Sequence, residues 1–423
     1  ILDEIVVTAY GISTKGTFTG SAGVMKADKI EARQVSNVSN ALSGTVAGVQ
    51  VLSANGQPGS SAKVRIRGVG SINSGTSPLY VVDGVPFDGD LSSINTQDIE
   101  SLTVLKDAAS TALYGARGAN GIIMITTKKG NTGQALVTFD AKIGANSRAV
   151  KNYDVMSSPQ QYTEKTYEAI YNAGLYNLKY DAAKANKYAN TNLFTKANGG
   201  YGYQIYTVPT GESVIGMDGK LNSKATLGYT DGKYYYTPDN WESETFANKI
   251  RQEYNASVSA STERMNYYSS FGYLEDNGII QKSGFKRYTG RLKGDYKVYD
   301  WLKIGGNFGY TYSNSQDPSE QTTTNSSGNA FFIANMIAPV YPIYVRNPDG
   351  TIMYNNGRKI YDYGDGKSTK NSRSFMSIAN PAGDLTYNKE EYLMDIMNLN
   401  WFAELTPLKG LTLTARFGMD IDN

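Results

Sequence analysis

Few residue types in this chain could do covalent chemistry. It holds no His and no Cys, which removes thiol nucleophiles, disulfides, the usual zinc sites and most acid–base catalysis. The 39 acidic residues form no recognisable catalytic pair, so no catalytic residue, metal ligand or cofactor is expected. Asp362-Tyr363-Gly364-Asp365-Gly366 suggests calcium, but it lacks the spacing and closing Glu of an EF-hand loop and reads as a surface turn. The run GARGANG, Gly115–Gly121, has the composition of a phosphate cradle. The chain enters it from a helix and leaves into a strand, the reverse of phosphate-binding loops, so its glycines serve tight turns. What is left is recognition. Ile5-Val6-Val7-Thr8 reads as a short strand after an acidic pair, Asp3-Glu4, with no hairpin partner evident in the small, polar, Gly-broken residues that follow. Its free backbone groups could pair with another chain, with Asp3 and Glu4 steering a basic partner. Farther on, Tyr201, Tyr203, Tyr206, Tyr229, Tyr234, Tyr235, Tyr236 and Trp241 form an aromatic, weakly charged stretch. Such rings could stack on sugar faces or peptide side chains, or pack the segment on itself.

The elements that position these residues fall into two grammars. Net charge is +2 over 423 residues, which leaves no electrostatic footprint for nucleic acid. From Ile12 to about Gly130 the pattern predicts a compact α+β domain: a helical stretch near Ser39–Val46, strands at Gly48–Leu52, Lys63–Arg67 and Leu79–Val82, a turn at Asp83-Gly84, a strand leading to Leu105, an Ala-rich helix over Lys106–Tyr114 and a strand at Ile122–Thr127. From Asn131 onward long strands alternate with period two. Leu292, Tyr296 and Val298 oppose Arg291, Lys293, Asp295 and Lys297; Leu411, Leu413, Ala415, Phe417, Met419 and Ile421 oppose Thr412, Thr414, Arg416, Asp420 and Asp422.

A sandwich would turn those apolar faces inward, and a membrane barrel would turn them outward to lipid. The connections decide between the two. They run long (about 147–251), tight (Thr262–Arg264), medium (Asn277–Gly284), tight (Tyr299-Asp300), long (about 315–391) and tight (Thr406–Gly410). Every second connection is tight, as in up-and-down outer-membrane barrels, and Trp301 with Tyr310 and Tyr312 would supply girdles at the two ends of one strand. The 33 Tyr and 44 Gly fit many strands and turns with aromatics at a partly wet surface. About seven strands are legible, whereas a barrel enclosing a plug has ~22. The count therefore predicts the front part of a longer chain, and a start at Ile1 without a signal peptide predicts a mature or trimmed form.

LDEIVVTAYG (Leu2–Gly11), KVRIRGVGS (Lys63–Ser71), SPLYVVDGVP (Ser77–Pro86) and DIESLTVLKDAASTALYGARGANGIIMITTKKG (Asp98–Gly130) resemble SusC/RagA-type TonB-dependent outer-membrane transporters of Bacteroidetes. DNGIIQKSGFKRYTGRLKGDY (Asp276–Tyr296) is similar to the family's early barrel. The resemblance implies a transmembrane antiparallel β-barrel with an N-terminal α+β plug domain in its lumen. Residues 1–10 would hold the TonB box, 11–131 the plug and 132–423 the first part of the barrel with long extracellular loops. Asp3, Glu4, Ile5, Val6, Val7, Thr8 and Ala9 match the box that pairs with TonB; Ala9 departs from the Gly more common there, which strand pairing through backbone groups tolerates. The implied activity is active import of oligosaccharides or oligopeptides, driven through TonB by its ExbB/ExbD motor and shared with a SusD-like lipoprotein at the surface. On that view Tyr201, Tyr203, Tyr206, Tyr234, Tyr235, Tyr236 and Trp241 are the substrate-contact candidates. The rival expectations are a non-transporting surface adhesin or glycan-binding β protein and, with no motif behind it, a glycan-acting enzyme.

Overall fold

The computed structural model describes residues 5–8, 11–14, 22–53, 56–66, 68, 75–107, 111–130, 133–151, 154–317, 329–388 and 390–423. It begins with a two-stranded antiparallel ladder of β1 (Ile5–Thr8) and β2 (Gly11–Thr14), in which Ile5 faces Thr14 and Thr8 faces Gly11.

The N-terminal α+β domain is built on five strands, β3 (Ala22–Lys26), β6 (Leu79–Val82), β7 (Val85–Phe87), β8 (Ile99–Leu105) and β9 (Ile122–Thr127), in the order β3-β8-β9-β6-β7. The separate hairpin of β4 (Val49–Leu52) and β5 (Lys63–Ile66) stands beside it. β6 and β9 run parallel, and the other pairs are antiparallel. β9 is an almost unbroken apolar run because both of its faces are covered. Ile123 and Ile125 join Met25, Ile30, Val38, Leu42, Leu102 and Val104 on one side, while Ile122 and Met124 join Leu79, Val81 and Leu105 on the other. Two short helices, α1 (Ala27–Glu31) and α2 (Val38–Ala41), close the first side. The helical stretch expected over Ser39–Val46 is this shorter α2, capped by the Asn37 side chain, which accepts from the Ser39 amide. The Ala-rich segment ends as a 3₁₀ turn over Ala112–Gly118 that passes through Gly115 at φ 60° instead of stopping there.

Seven long strands follow as an antiparallel meander: β10 (Gly133–Asn146), β11 (Lys249–Ser261), β12 (Met265–Asn277), β13 (Gly284–Tyr299), β14 (Leu302–Gln316), β15 (Glu391–Leu408) and β16 (Leu411–Asp422), each paired with the next in sequence. Among the described residues the sheet does not close on itself; β10 and β16 are its edges. Its two faces differ as the alternation requires. Val137, Phe139, Phe271, Leu292, Trp301, Trp401 and Phe417 point outward and are uncovered, while Arg287, Thr289, Arg291, Asn307 and Thr311 point inward and are buried. The α+β domain sits against that polar inner face. A sandwich would have covered the apolar face instead. Tyr299 stacks on Trp301 at one end of the sheet, with ring centroids 5.3 Å apart. Among the described residues no helix is long and apolar enough to cross a membrane.

The described residues of the two long connections, 147–151 and 154–248 in the first and 329–388 in the second, fold together as one further domain over the end of the sheet where β10 and β14 finish. Its helices are α3 (Pro159–Asn172), α4 (Ala182–Asn192), α5 (Trp241–Thr245), α6 (Ala330–Met336) and α7 (Pro381–Tyr387). Its core mixes both segments: Tyr167, Ile170, Tyr203, Tyr236 and Trp241 from the first, with Ile333, Tyr341, Ile343 and Tyr361 from the second.

Candidate functional site

The inner face of β13 carries Arg287, Thr289, Arg291 and Lys293 at every second position, so a single strand presents a column of donors to the α+β domain. Arg287 is 2% exposed. Its Nη1 donates to three main-chain carbonyls, Ser36 at 3.0 Å, Ser92 at 2.6 Å and Ile94 at 3.2 Å. One guanidinium thus staples two separate segments of the domain to the wall. Arg291 lies 3.5 Å from the Asp98 carboxylate, which also accepts from the Tyr268 hydroxyl at 2.9 Å. Asn95 donates to Asn255 at 2.8 Å, and Thr311 donates to the Ser93 carbonyl at 2.8 Å.

Asp83 is a second junction. It occupies the hairpin turn between β6 and β7, where Asp83 at φ 49° and Gly84 at φ 87° both take the left-handed conformation that such two-residue turns need. The carboxylate accepts from the Thr127 amide at 3.0 Å and hydroxyl at 2.6 Å, from Lys293 Nζ at 3.1 Å and from Asn307 Nδ2 at 2.7 Å. Burial works to raise its pKa. The Lys293 and Arg291 charges and the Thr127 hydrogen bonds outweigh that and hold the carboxyl below its ordinary range. Nearby, Asn266 of the wall exchanges two hydrogen bonds with the Gly130 main chain, at 2.8 and 2.9 Å.

These anchors are unevenly spread. They grip Ser36, Asp83, Ser92–Asp98, Thr127 and Gly130. Residues 22–35, comprising β3, α1 and the turn after them, make one hydrogen bond to the wall among the described residues, from Lys142 Nζ to the Glu31 carbonyl at 3.0 Å. β3 is also an edge strand, paired among the described residues with β8 alone.

Residues 14–122 match the family model of the TonB-dependent receptor plug domain. The TonB-dependent receptor SusC of Bacteroides thetaiotaomicron is 32% identical over 354 residues, which is 81% of this chain and 29% of SusC. A solved structure of the RagAB peptide importer in its open-open state superposes with a TM-score of 0.71 at 26% identity, covering 99% of this chain and 42% of that one. The chain belongs to the SusC/RagA-type TonB-dependent transporters. TonB-dependent receptor P26 of Formosa agariphila is 28% identical over 424 residues, 100% of this chain and 35% of its own. The chain therefore spans about a third of the length of these curated relatives.

In this SusC/RagA-type chain the plug is the α+β domain, and the strand matched to the TonB box is β1. Its expected lack of a hairpin partner is corrected: β2, the GIST segment, pairs with it along all four residues. The sequence hid this because Gly and Ser are poor strand formers. Asp3, Glu4 and Ala9 lie outside the described residues.

The aromatic candidates divide. Tyr201, Tyr203, Tyr206, Tyr236 and Trp241 are at most 4% exposed, inside the loop-domain core, so the expectation that they meet cargo is corrected. Rings with both faces packed offer no stacking surface. Tyr234 and Tyr235 are half-buried at its margin. At the centre stands a residue that sequence analysis passed over, Arg373, which is 0% exposed. Its guanidinium lies over the Trp241 ring at 4.9 Å and the Tyr341 ring at 5.6 Å. Nη1 donates to the Ala379 carbonyl at 2.7 Å, and Nη2 donates to the Asp362 carbonyl. The Asp362 carboxylate takes the Tyr203 hydroxyl at 3.0 Å and the Gly364 amide at 2.7 Å. Burial raises its pKa against the pull of Arg373. The Asp362–Gly366 run is therefore buried at Asp362 and Gly364, while its end keeps the expected surface turn, Asp365 accepting from the Lys367 amide at 2.9 Å. Gly364 sits at φ 67°, and a Cβ there would come within 2.4 Å of Arg373.

Proposed function

We propose that the chain supplies the plug and opening barrel strands of an importer that draws oligosaccharides or oligopeptides across the outer membrane without catalysis. TonB, driven by ExbB/ExbD, pairs with the segment Asp3–Ala9 from the periplasm. A SusD-like lipoprotein caps the opposite side, where the two long loops lie, and the finished barrel has ~22 strands. The observation that carries this reading is the uneven anchoring of the plug. A pull applied ahead of β3 meets an edge strand and a segment tied to the wall by one ammonium, whereas Ser36, Asp83, Ser92–Asp98, Thr127 and Gly130 are held by charged and polar side chains of the wall. Residues 22–35 yield first, and the rest of the plug stays seated. The pairing of β1 with β2 is compatible with docking, because an isolated two-stranded ladder is marginal in water and exchanges readily for a longer partner.

The absence of Cys permits a direct test. Ser101 on β8 faces Lys26 on β3 and Thr126 on β9. A disulfide in Lys26→Cys/Ser101→Cys locks the yielding strand, while one in Ser101→Cys/Thr126→Cys locks only strands that remain seated. In cells given fluorescent oligosaccharide and oligopeptide pools, the first lock should stop energised uptake until a reductant is added, and the second should not. Uptake that survives the first lock, or that survives deletion of Asp3–Ala9, defeats the coupling reading.

A further inference from the structure

A cleft of about 820 Å³ opens in the loop domain, away from the plug and the barrel wall, between α4, the chain after it and the Lys370-Asn371 turn of the second loop. Such a volume lies in the range of small-ligand sites. What marks it is the division of its polar groups into those the fold uses and those it leaves. Asn186 and Asn190 are spent on the fold: Asn186 donates to the Tyr167 hydroxyl at 2.6 Å, and Asn190 accepts from the Ile215 amide at 2.9 Å. Glu212 is engaged by Lys224 and Asn222, and Lys370 pairs with Asp231 at 2.9 Å. By contrast, the Asn371 side-chain amide, the Tyr229 hydroxyl, the Ser213 hydroxyl and the Lys187 ammonium have no hydrogen-bond partner among the described residues. The Gln204 carboxamide uses only its nitrogen, toward the Tyr206 carbonyl at 3.3 Å. These groups converge on one space beside the half-buried Phe194 ring, and they come from both loops.

We infer that this cleft is a glycan subsite, taking two or three units of an oligosaccharide through the Gln204, Tyr229 and Asn371 side chains. The chemistry selects the class. Carboxamides and hydroxyls both donate and accept, which matches the hydroxyl pairs of a sugar ring, and aromatic edges cover its apolar face. No uncompensated carboxylate faces the cleft, so a cationic ligand finds no counter-charge. A peptide strand would need a row of free main-chain donors and acceptors, whereas the groups on offer are side chains. The site exists only because the two loops fold as one body: Arg373 holds the turn that delivers Asn371, and α4 delivers Lys187. The inference rests on the import reading above and narrows its cargo.

The test uses the whole transporter in detergent. Two soluble panels are titrated by calorimetry: neutral hexose oligomers of several linkages, and peptides of mixed sequence. Tyr229→Phe, Asn371→Ala and Gln204→Ala remove one or two polar atoms each without touching the core, and unchanged Trp241 fluorescence confirms that the domain is intact. At least one hexose oligomer should bind, and each variant should weaken it about tenfold. Sugar binding untouched by all three variants removes the cleft while leaving import standing. Peptides that bind and are weakened by the same variants overturn the glycan class, as does a wild-type protein that binds no sugar at millimolar concentration. Loss of energised uptake on deleting Asp3–Ala9, with sugar binding retained, separates the import reading from this one.

Discussion

Arg373→Met isolates the energetics of the loop domain. Methionine nearly fills the space but brings no donors. The Ala379 carbonyl then loses its donor in a place water does not reach, the Asp362 carbonyl keeps only Asn380 Nδ2 at 2.9 Å, and the buried Asp362 carboxylate loses the cation that opposes its desolvation. Removing one side of a buried charged arrangement costs about 3–5 kcal/mol, and the lost stacking on Trp241 and Tyr341 adds about 0.5–2 kcal/mol. A net loss of about 4 kcal/mol lowers the folding equilibrium of the domain by roughly three decades. The readout is already in the chain. Of its three tryptophans, Trp241 lies in this core, whereas Trp301 and Trp401 face outward from the sheet. In a Trp301→Phe/Trp401→Phe background, a urea titration followed by Trp241 emission reports the loop domain, while heat-modifiable gel mobility reports the barrel. The Trp241 midpoint should fall sharply and the barrel should not change. A midpoint within about 0.5 kcal/mol of the parent, or loops and barrel that melt together in the parent, would refute the account of Arg373 as the centre of a separately cooperative unit.

Three further outcomes are expected. Asp83→Asn should loosen the seat of the plug by about 1.5–3 kcal/mol, the worth of a charged hydrogen bond, seen as faster hydrogen exchange across Val81–Val85. Because the folded Asp83 carboxyl lies below its ordinary value, its contribution is complete above about pH 4 and is lost as pH falls through the lowered folded value; the parent should show that acid-induced loosening and Asp83→Asn should not. Gly59→Ala should lift the nearby turn from the wall, since a Cβ at φ 81° would meet the Phe285 ring at 2.4 Å, and protease protection of the Gln57–Ser60 turn should fall. Leu292→Lys, on the uncovered apolar face, should cost about 2–4 kcal/mol if it sits near the bilayer midplane, measured as reduced heat-modifiable barrel, whereas Thr289→Lys on the inner face should instead disturb the plug.

The sheet was legible because lipid on one side and a polar plug on the other impose strict alternation. Leu292 against Arg291 and Lys293 reads the same in the sequence and in space. The Asp83-Gly84 turn was legible for a similar reason, since few dipeptides tolerate that backbone. The loop tyrosines were not, because aromatic density cannot distinguish a displayed ring from a packed one. That choice was made by Arg373 and Asp362, lone polar residues with no pattern around them. The plug anchors were half visible. β13 showed its cations, but their partners are mostly main-chain carbonyls, which any sequence supplies. The β1–β2 ladder escaped notice because GIST has little strand character of its own.

The shared core of the two loops also orders the making of the molecule. Residues 147–248 leave β10 with Tyr203, Tyr236 and Trp241 uncovered, and their partners Tyr341 and Tyr361 follow only after β11 to β14 have been synthesised. The domain cannot close from one loop alone, so its contacts are long-range and slow to form. Until then the first loop is a sticky, half-built surface in need of a chaperone. Closure of the loop domain therefore certifies that the four strands between its halves have paired in register. It makes the outer cap of the transporter a checkpoint on its assembly.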